Sequence, residues 1–261
     1  PDADELLQVI HDRRPRSVYF IPAVWQRIFD ADTSRYDLSS VRVADTGTSL
    51  VTVELLNGIA SLLPGSTTSI AYGSTEGGLV TCAGPDVGDK RASTVGRPTP
   101  GVFLEIDDET GELLVDSHIL FSGYFRNEAA TAQALAGGKY HTGDLAECDE
   151  EGLYRIVGRA GDLIRTGGEA VAPTEVEAAL IHCPGVAEIA IVGAKDATWG
   201  EVVTAFVVPQ KGAEVTLDGL RAFAETRLAN YKVPRRLQLI ESLPRTAATG
   251  QIQRRKLVTS L

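Results

Sequence analysis

Three observations predict an α/β fold in two domains for this chain of 261 residues. Helix-spaced apolar residues alternate twice with strand-like runs before residue 80. Short alternating strands with glycine-rich turns fill residues 96–158, and helices and strands are mixed again from there to the end. The expected architecture is a parallel α/β layer over residues 1–95, a small antiparallel sheet or barrel over 96–160, and a compact α+β unit over 161–261. Residues 159–162 are the expected junction.

Each element follows from a local pattern. Leu6, Leu7 and Ile10 stand at helical spacing within residues 4–13, and "SVYFIPAV", residues 17–24, reads as a buried strand ended by Pro22. "VRVADTG", residues 41–47, is the next strand, residues 53–63 a helix, and "TTSIAY", residues 67–72, a strand leading into "GSTEGG". A helix between successive strands makes parallel pairing the natural expectation. "GVFLEI" and "ELLVDS" are the short strands of the middle region, with a helix at "NEAATAQAL". The last region reads as helix "PTEVEAALIHC", strands "VAEIAIVGA" and "VVTAFVVP", helix "LDGLRAFAETRLA" and strand "RRLQLIE".

Composition narrows the function. With 25 basic against 35 acidic residues the net charge is −10, which opposes broad attraction to nucleic acid or to an anionic membrane. A phosphate-bearing small molecule remains compatible, because backbone N–H groups and a few placed arginines hold phosphate locally. Cys82, Cys148 and Cys183 are odd in number and widely spaced, so neither a disulfide framework nor a zinc site is expected. Reduced thiols in a cytoplasmic protein are the expectation, with no transmembrane segment.

Three stretches carry chemistry. In "YGSTEGG", residues 72–78, an aromatic and a glycine precede two hydroxyls and the Glu76 carboxylate, which are oxygen ligands suited to Mg²⁺; a polar turn with a solvated Glu76 is the alternative. In "YHTGDL", residues 140–145, Asp144 beside a glycine at a strand end suits the vicinal hydroxyls of a ribose, or else caps a turn. In "GRAGDLIRTGGEAVAPTEVE", residues 158–177, Arg159 offers a forked cation and Thr166-Gly167-Gly168 a narrow loop; the plain reading is a strand–turn–helix connection opened by Pro173.

The order of these stretches, together with "GRPTPG", "GELLVDS", "GYFRNEAAT" and "VPRRLQLIESLPRTAATGQIQRRKL", resembles the adenylate-forming enzymes over essentially the whole chain. That family includes acyl-CoA synthetases, adenylation domains of peptide synthetases, and luciferase. The resemblance implies activation of a carboxylic acid with ATP and Mg²⁺, then transfer of the acyl group to the thiol of coenzyme A. It implies that Tyr72 and Gly73 border adenine, Thr75 lies at the phosphates, Glu76 holds Mg²⁺, and Gly47 and Thr48 of "TGTS" flank the adenine. It likewise implies Asp144 for ribose, Arg159 for ribose or phosphate, and Gly161 and Asp162 as a hinge. Gly167 and Gly168 would fall in the loop lining the pantetheine tunnel. The implied architecture is the end of a large N-terminal domain, joined by that hinge to a mobile C-terminal domain.

Two departures bear on activity. The Ser/Thr/Gly-rich phosphate loop ending in Pro-Lys that the family carries upstream is not in these residues, so the resemblance is to a C-terminal portion that is not expected to turn over alone. The family's adenylation lysine follows a Thr-Gly pair, and here that position, at the expected tip of a loop lengthened by Ala247 or Ala248, is Gln251. Glutamine keeps hydrogen-bond donors and loses the charge. Arg254, Arg255 and Lys256 are the neighbouring cations to consider as substitutes, and reduced adenylation is expected over rescue. A stand-alone acyl-CoA ligase is the expected function. A peptide-synthetase adenylation domain and a catalytically impaired nucleotide-binding homologue are the alternatives. Small and apolar residues after Tyr72 suit an aliphatic or aromatic acid, and Trp25 and Phe20 read as core.

Overall fold

The computed structural model describes residues 2–49, 51–246 and 250–261, with Asp89 described by its backbone alone. Two compact units emerge, Pro1–Thr142 with Ala146–Ile156 and Gly143–Leu145 with Val157–Leu261.

The first unit begins with helix α1 (Ala3–Arg13), strand β1 (Ser17–Tyr19), helix α2 (Pro22–Asp30), strand β2 (Val43–Gly47), helix α3 (Val53–Leu62) and strand β3 (Ile70–Ser74). Strands β4 (Gly78–Ala83) and β5 (Arg97–Pro98) complete a five-stranded sheet in the order β1-β2-β3-β4-β5. β1, β2 and β3 run parallel, and β4 turns back antiparallel. Side-chain caps fix the helix starts: Asp2 accepts from the Asp4 amide and Thr52 from the Leu55 amide. Leu7 and Ile10 of α1, Trp25 and Ile28 of α2, and Ile59 of α3 pack with Ala44 and Ile70 of the sheet into one core. Trp25 is 1% exposed and packs edge-on to Phe20 and stacked on Phe29, so its place is in the core, a burial contributing about 3 kcal/mol.

One segment corrects the sequence reading. Residues 17–24 are not a single buried strand: β1 is three residues long, and Pro22 opens α2 instead of ending a strand. Proline lacks an N–H that the first helical turn would leave unpaired, and Val24, Trp25 and Ile28 then share one buried side.

The second sheet has the order β6-β7-β8-β9, from strands β6 (Val102–Ile106), β7 (Glu112–Ser117), β8 (Tyr140–Cys148) and β9 (Tyr154–Arg159), with β6 and β7 antiparallel. Helix α4 (Glu128–Ala134) precedes β8 and is capped by Asn127.

The remaining sheet has the order β11-β10-β13-β12, with β14 alongside β13. Its strands are β10 (Ile164–Thr166), β11 (Glu169–Val171), β12 (Val186–Asp196), β13 (Gly200–Pro209) and β14 (Arg236–Leu239), joined by helices α5 (Pro173–Leu180) and α6 (Leu217–Glu225). β12 and β13 form a ten-pair antiparallel ladder whose buried Ile191, Val203, Ala205 and Val207 pack under Val176, Leu180 and Leu220. The terminal basic run, which the sequence pattern assigns to no element, forms helix α7 (Arg254–Thr259), because Leu257 inserts beside Ala190, Val192 and Phe206 on the other face of the ladder.

Two outcomes follow. A Cβ on Gly47 would lie 2.1 Å from the Ala71 carbonyl oxygen, which is backbone and cannot swing aside. Gly47→Ala should therefore destabilise the first unit by about 3 kcal/mol in chemical denaturation, and a loss well under 1 kcal/mol would contradict this packing. At the β12–β13 turn, the Asp196 carboxylate accepts the amides of Thr198 and Trp199 and the Arg236 guanidinium, which hold it below the usual range. That stabilisation is full above the unfolded value near about pH 4 and is lost as pH falls through the lowered native value. Asp196→Asn should flatten the decline of stability below about pH 4, read by urea titration at several pH values.

Candidate active site

In the first unit the expected residues collect at the C-terminal ends of β2 and β3, where ligands bind in open parallel sheets. Gly47 closes β2 opposite Ala71 of β3, and the next residue, Thr48, has φ 75°. The left-handed backbone at a threonine is a sparsely populated conformation, held here beside a contact between Tyr19 Oη and Thr48 Oγ1 at 3.1 Å. The Tyr19 hydroxyl also approaches within 2.8 Å of where a Gly47 Cβ would lie, so Gly47 is required on two sides.

"YGSTEGG" is the β3–β4 hairpin. Ser74 pairs with Gly78, and Gly73 admits the Gly78 carbonyl to within 2.0 Å of where its Cβ would be. Tyr72 is half-buried beside Val80, Val102 and Tyr140, and Thr75 is exposed. The Ser74 hydroxyl accepts the Gly77 amide at 3.0 Å and donates to Tyr140 Oη at 3.3 Å. Glu76 is gripped twice from one segment: its carbonyl accepts the Phe121 amide and its Oε1 accepts the Tyr124 hydroxyl, each at 2.8 Å. The Glu76 carboxylate, with burial second, pushes the Tyr124 phenol up to about 12, so it stays a neutral donor. Tyr124 was not singled out in the sequence; its signal was the "GYFRNEAAT" stretch, whose turn delivers it.

In the second unit, Asp144 does not sit at a strand end. It lies inside β8, where Gly143 at φ 71° kinks the strand and lets a polar residue turn inward. Its side chain is 10% exposed and pairs with Arg159 Nε at 2.8 Å, while Arg159 is largely exposed. Gly161 and Asp162 form a short turn after β9, and among the described residues, its chain neighbours aside, no atom stands within 4 Å of where a Gly161 side chain would begin. Gly167 and Gly168, at φ 59° and 91°, make the two-residue turn of the β10–β11 hairpin. Gly167 packs against Trp199, whose ring would be 2.8 Å from a Cβ there, so Trp199 supports this turn. An open groove of about 820 Å³ is lined by Ala160, Gly161, Leu163, Arg165, Lys195 and Gly200.

Gln251 is not at the loop's tip. Its carbonyl accepts the Thr246 amide at 2.9 Å and its amide donates to Thr246 Oγ1 at 3.2 Å, one step inside the bridge between Arg245 and Ile252, so it stands at the stem. Gly250, at φ 68°, supplies the turn, and Ala247, Ala248 and Thr249 lie outside the described residues. Arg254 is committed elsewhere: its Nη2 contacts both oxygens of Glu177 at 2.7 Å, and Nη1 stands 3.7 Å from Asp162. Glu177 Oε1 also accepts the Ile191 amide, which ties α5, β12 and α7 together. Arg255 and Lys256 are exposed. Among the described residues no group of three or more His, Cys, Asp or Glu is arranged to hold a metal ion.

Comparison with known proteins identifies the family. The "AMP-binding enzyme" family model matches residues 1–125, and the "AMP-binding enzyme C-terminal domain" model matches residues 175–249. The 3-[(3aS,4S,7aS)-7a-methyl-1,5-dioxo-octahydro-1H-inden-4-yl]propanoyl:CoA ligase of Rhodococcus jostii is 38% identical over 259 residues, 98% of this chain and 50% of that protein. The long-chain-fatty-acid–CoA ligase of Bacillus subtilis is 34% identical over 268 residues, 98% of this chain and 48% of that one. The structure of ATP-bound MatB from Rhodopseudomonas palustris superposes with a TM-score of 0.87 at 28% identity, covering 100% of this chain and 53% of that chain. The chain thus spans about half the length of the curated relatives it matches. Two family models, one matching within each unit, and relatives aligned along nearly all of its residues make this chain a member of the AMP-binding, adenylate-forming enzyme family.

Proposed function

We propose that the polypeptide to which these residues belong is an ATP-dependent acyl-CoA ligase, and that this portion supplies the adenine, ribose and hinge elements of its site. The observation that carries the reading is the gathering of Gly47, Thr48 and residues 72–76 at adjacent ends of two parallel strands, with glycines where backbone must approach backbone. In the proposed reaction the acid's carboxylate oxygen attacks the α-phosphorus of ATP as the bond to pyrophosphate breaks. A thiol sulfur, losing its proton, then attacks the acyl carbon, and AMP leaves.

The chain's own groups divide this work. Tyr72 offers an aromatic face for adenine beside the Gly47–Thr48 backbone. Asp144, buried and ion-paired with Arg159, is the acceptor for ribose hydroxyls, and Arg159, largely exposed, is placed to exchange that pair for a phosphate. The Gly167–Gly168 turn and the groove beside it suit a thin thiol-bearing arm. A magnesium ion, when bound, supplies neutralisation of phosphate charge, and Glu76 is the residue that would hold it. A single carboxylate, with no acidic cluster around it among the described residues, fits a cation that takes its other ligands from phosphate and water. The named relatives act on acids as different as a long-chain fatty acid and a bicyclic propanoate, which supports a largely apolar carboxylic acid as the substrate class.

Gln251 favours a second reading, a homologue that binds nucleotide and adenylates slowly. Arg254 is the nearest of the neighbouring cations by sequence to be considered as a substitute, and its guanidinium is held by Glu177. ATP–pyrophosphate exchange on the complete gene product, across a panel of carboxylic acids, tests both readings. Gln251→Lys should raise the exchange rate at least about tenfold, the scale of one charge-assisted contact in the transition state. An unchanged rate would remove the significance attached to this position. Absence of exchange with every acid, lysine restored, would leave the binding-only reading.

A further inference from the structure

Segment 119–124 holds Glu76 more firmly than a hairpin turn requires. The Phe121 amide fixes its carbonyl and the Tyr124 hydroxyl fixes Oε1, while Oε2 has no hydrogen-bond or ion-pair partner among the described residues. Tyr124 is itself built in. Its amide donates to Thr131 Oγ1 at 2.9 Å, and that hydroxyl donates to the Asn127 carbonyl at 2.8 Å. Gly123, at φ 142°, is the residue over which Thr131 sits, since a Cβ there would lie 2.7 Å from the threonine methyl. Phe121 packs edge-on against both Tyr124 and Tyr140, and Tyr140 accepts the hydroxyl of Ser74 in the same hairpin as Glu76. The chain from α4 to β3 therefore closes on one carboxylate.

We propose that Tyr124 is a positioning residue for divalent-cation binding: it anchors Glu76 by one carboxylate oxygen so that the other is presented, pre-oriented, to a cation carried on nucleotide phosphates. This rests on the reading of Glu76 as the residue that holds magnesium. Two effects of the hydroxyl oppose each other. Its hydrogen bond draws charge from the carboxylate and weakens it slightly as a ligand, whereas the anchor removes rotational freedom that a glutamate otherwise loses on binding. Glu76 is only half-buried, so water replaces the hydrogen bond when the hydroxyl is removed, but water does not restore the orientation. The anchoring effect prevails.

Isothermal calorimetry of ATP binding to the complete gene product, with magnesium varied and with EDTA, tests this without turnover. Tyr124→Phe should raise the magnesium concentration needed for half-maximal enhancement of ATP binding by about five- to tenfold, leaving ATP affinity in EDTA within about twofold. In a Glu76→Gln background the same substitution should have no further effect on magnesium dependence. An unchanged magnesium dependence in Tyr124→Phe, or an equal effect with and without Glu76, would overturn the role assigned to Tyr124. If Tyr124→Phe lowers affinity in EDTA as well, Thr131→Val, which loosens the same turn from behind, must reproduce the magnesium shift or the proposal fails. Absence of any magnesium enhancement in the parent protein would instead overturn the reading of Glu76, and this inference with it.

Discussion

The close approach of β2 and β3 at Gly47 is the constraint on which the first unit's site depends. Parallel strands lie about 4.8 Å apart, and at their ends the twist ordinarily separates them. Here the Ala71 carbonyl occupies the space a side chain on Gly47 would fill, so β2 stays paired with β3 to its own last residue. Tyr72 and Gly73 then continue β3 past the end of β2, paired with β4, and the β3–β4 hairpin places Glu76 beyond them. The strained Thr48 backbone is the cost of turning the chain away at once, and its contact with Tyr19 gives it a partner on β1. Three parallel strands thus converge their C-terminal ends on one edge.

The second unit solves a different problem, keeping a polar loop in place on a hydrophobic ladder. The β12–β13 core covers one face with α5 and α6 and the other with α7. The bidentate contact of Arg254 with Glu177 joins α7 to α5, with both side chains mostly buried. Such a pair contributes little net free energy, because desolvation offsets attraction, yet breaking it leaves a buried charge and is strongly disfavoured. Its value is geometric: the first residue of α7 is fixed, and the loop that ends there inherits a fixed exit.

Much of this was legible in the sequence, and the misses have physical causes. Helices α1, α3, α5 and α6 and the long β12–β13 ladder follow from apolar spacing, because those segments bury one face along their whole length. Pro22 was ambiguous, since proline both ends strands and opens helices, and only the packing of Trp25 and Ile28 decides between them. Helix α7 was hidden because its first three residues are basic and its single buried Leu257 finds its partners on strands some fifty or more residues earlier. Of the site, the glycines and Glu76 were legible as a pattern. The Tyr124 hydroxyl and the Glu177–Arg254 pair were not, because each joins residues 48 and 77 positions apart and only the fold brings them together.

The stem before α7 is held by backbone contacts. Position 251 takes part in the stem through its backbone, by exchange with the Thr246 amide and hydroxyl. The bend is set by Gly250, and the Arg245 guanidinium, itself paired with Glu188, accepts the task of holding the Gly250 carbonyl at 2.9 Å. None of these interactions depends on what side chain position 251 carries. Gln251 is exposed, and its backbone contacts with Thr246 do not require a particular side chain. A lysine at position 251 is compatible with this backbone pairing, so the comparison of Gln251 with lysine is one of side chains and not of stems.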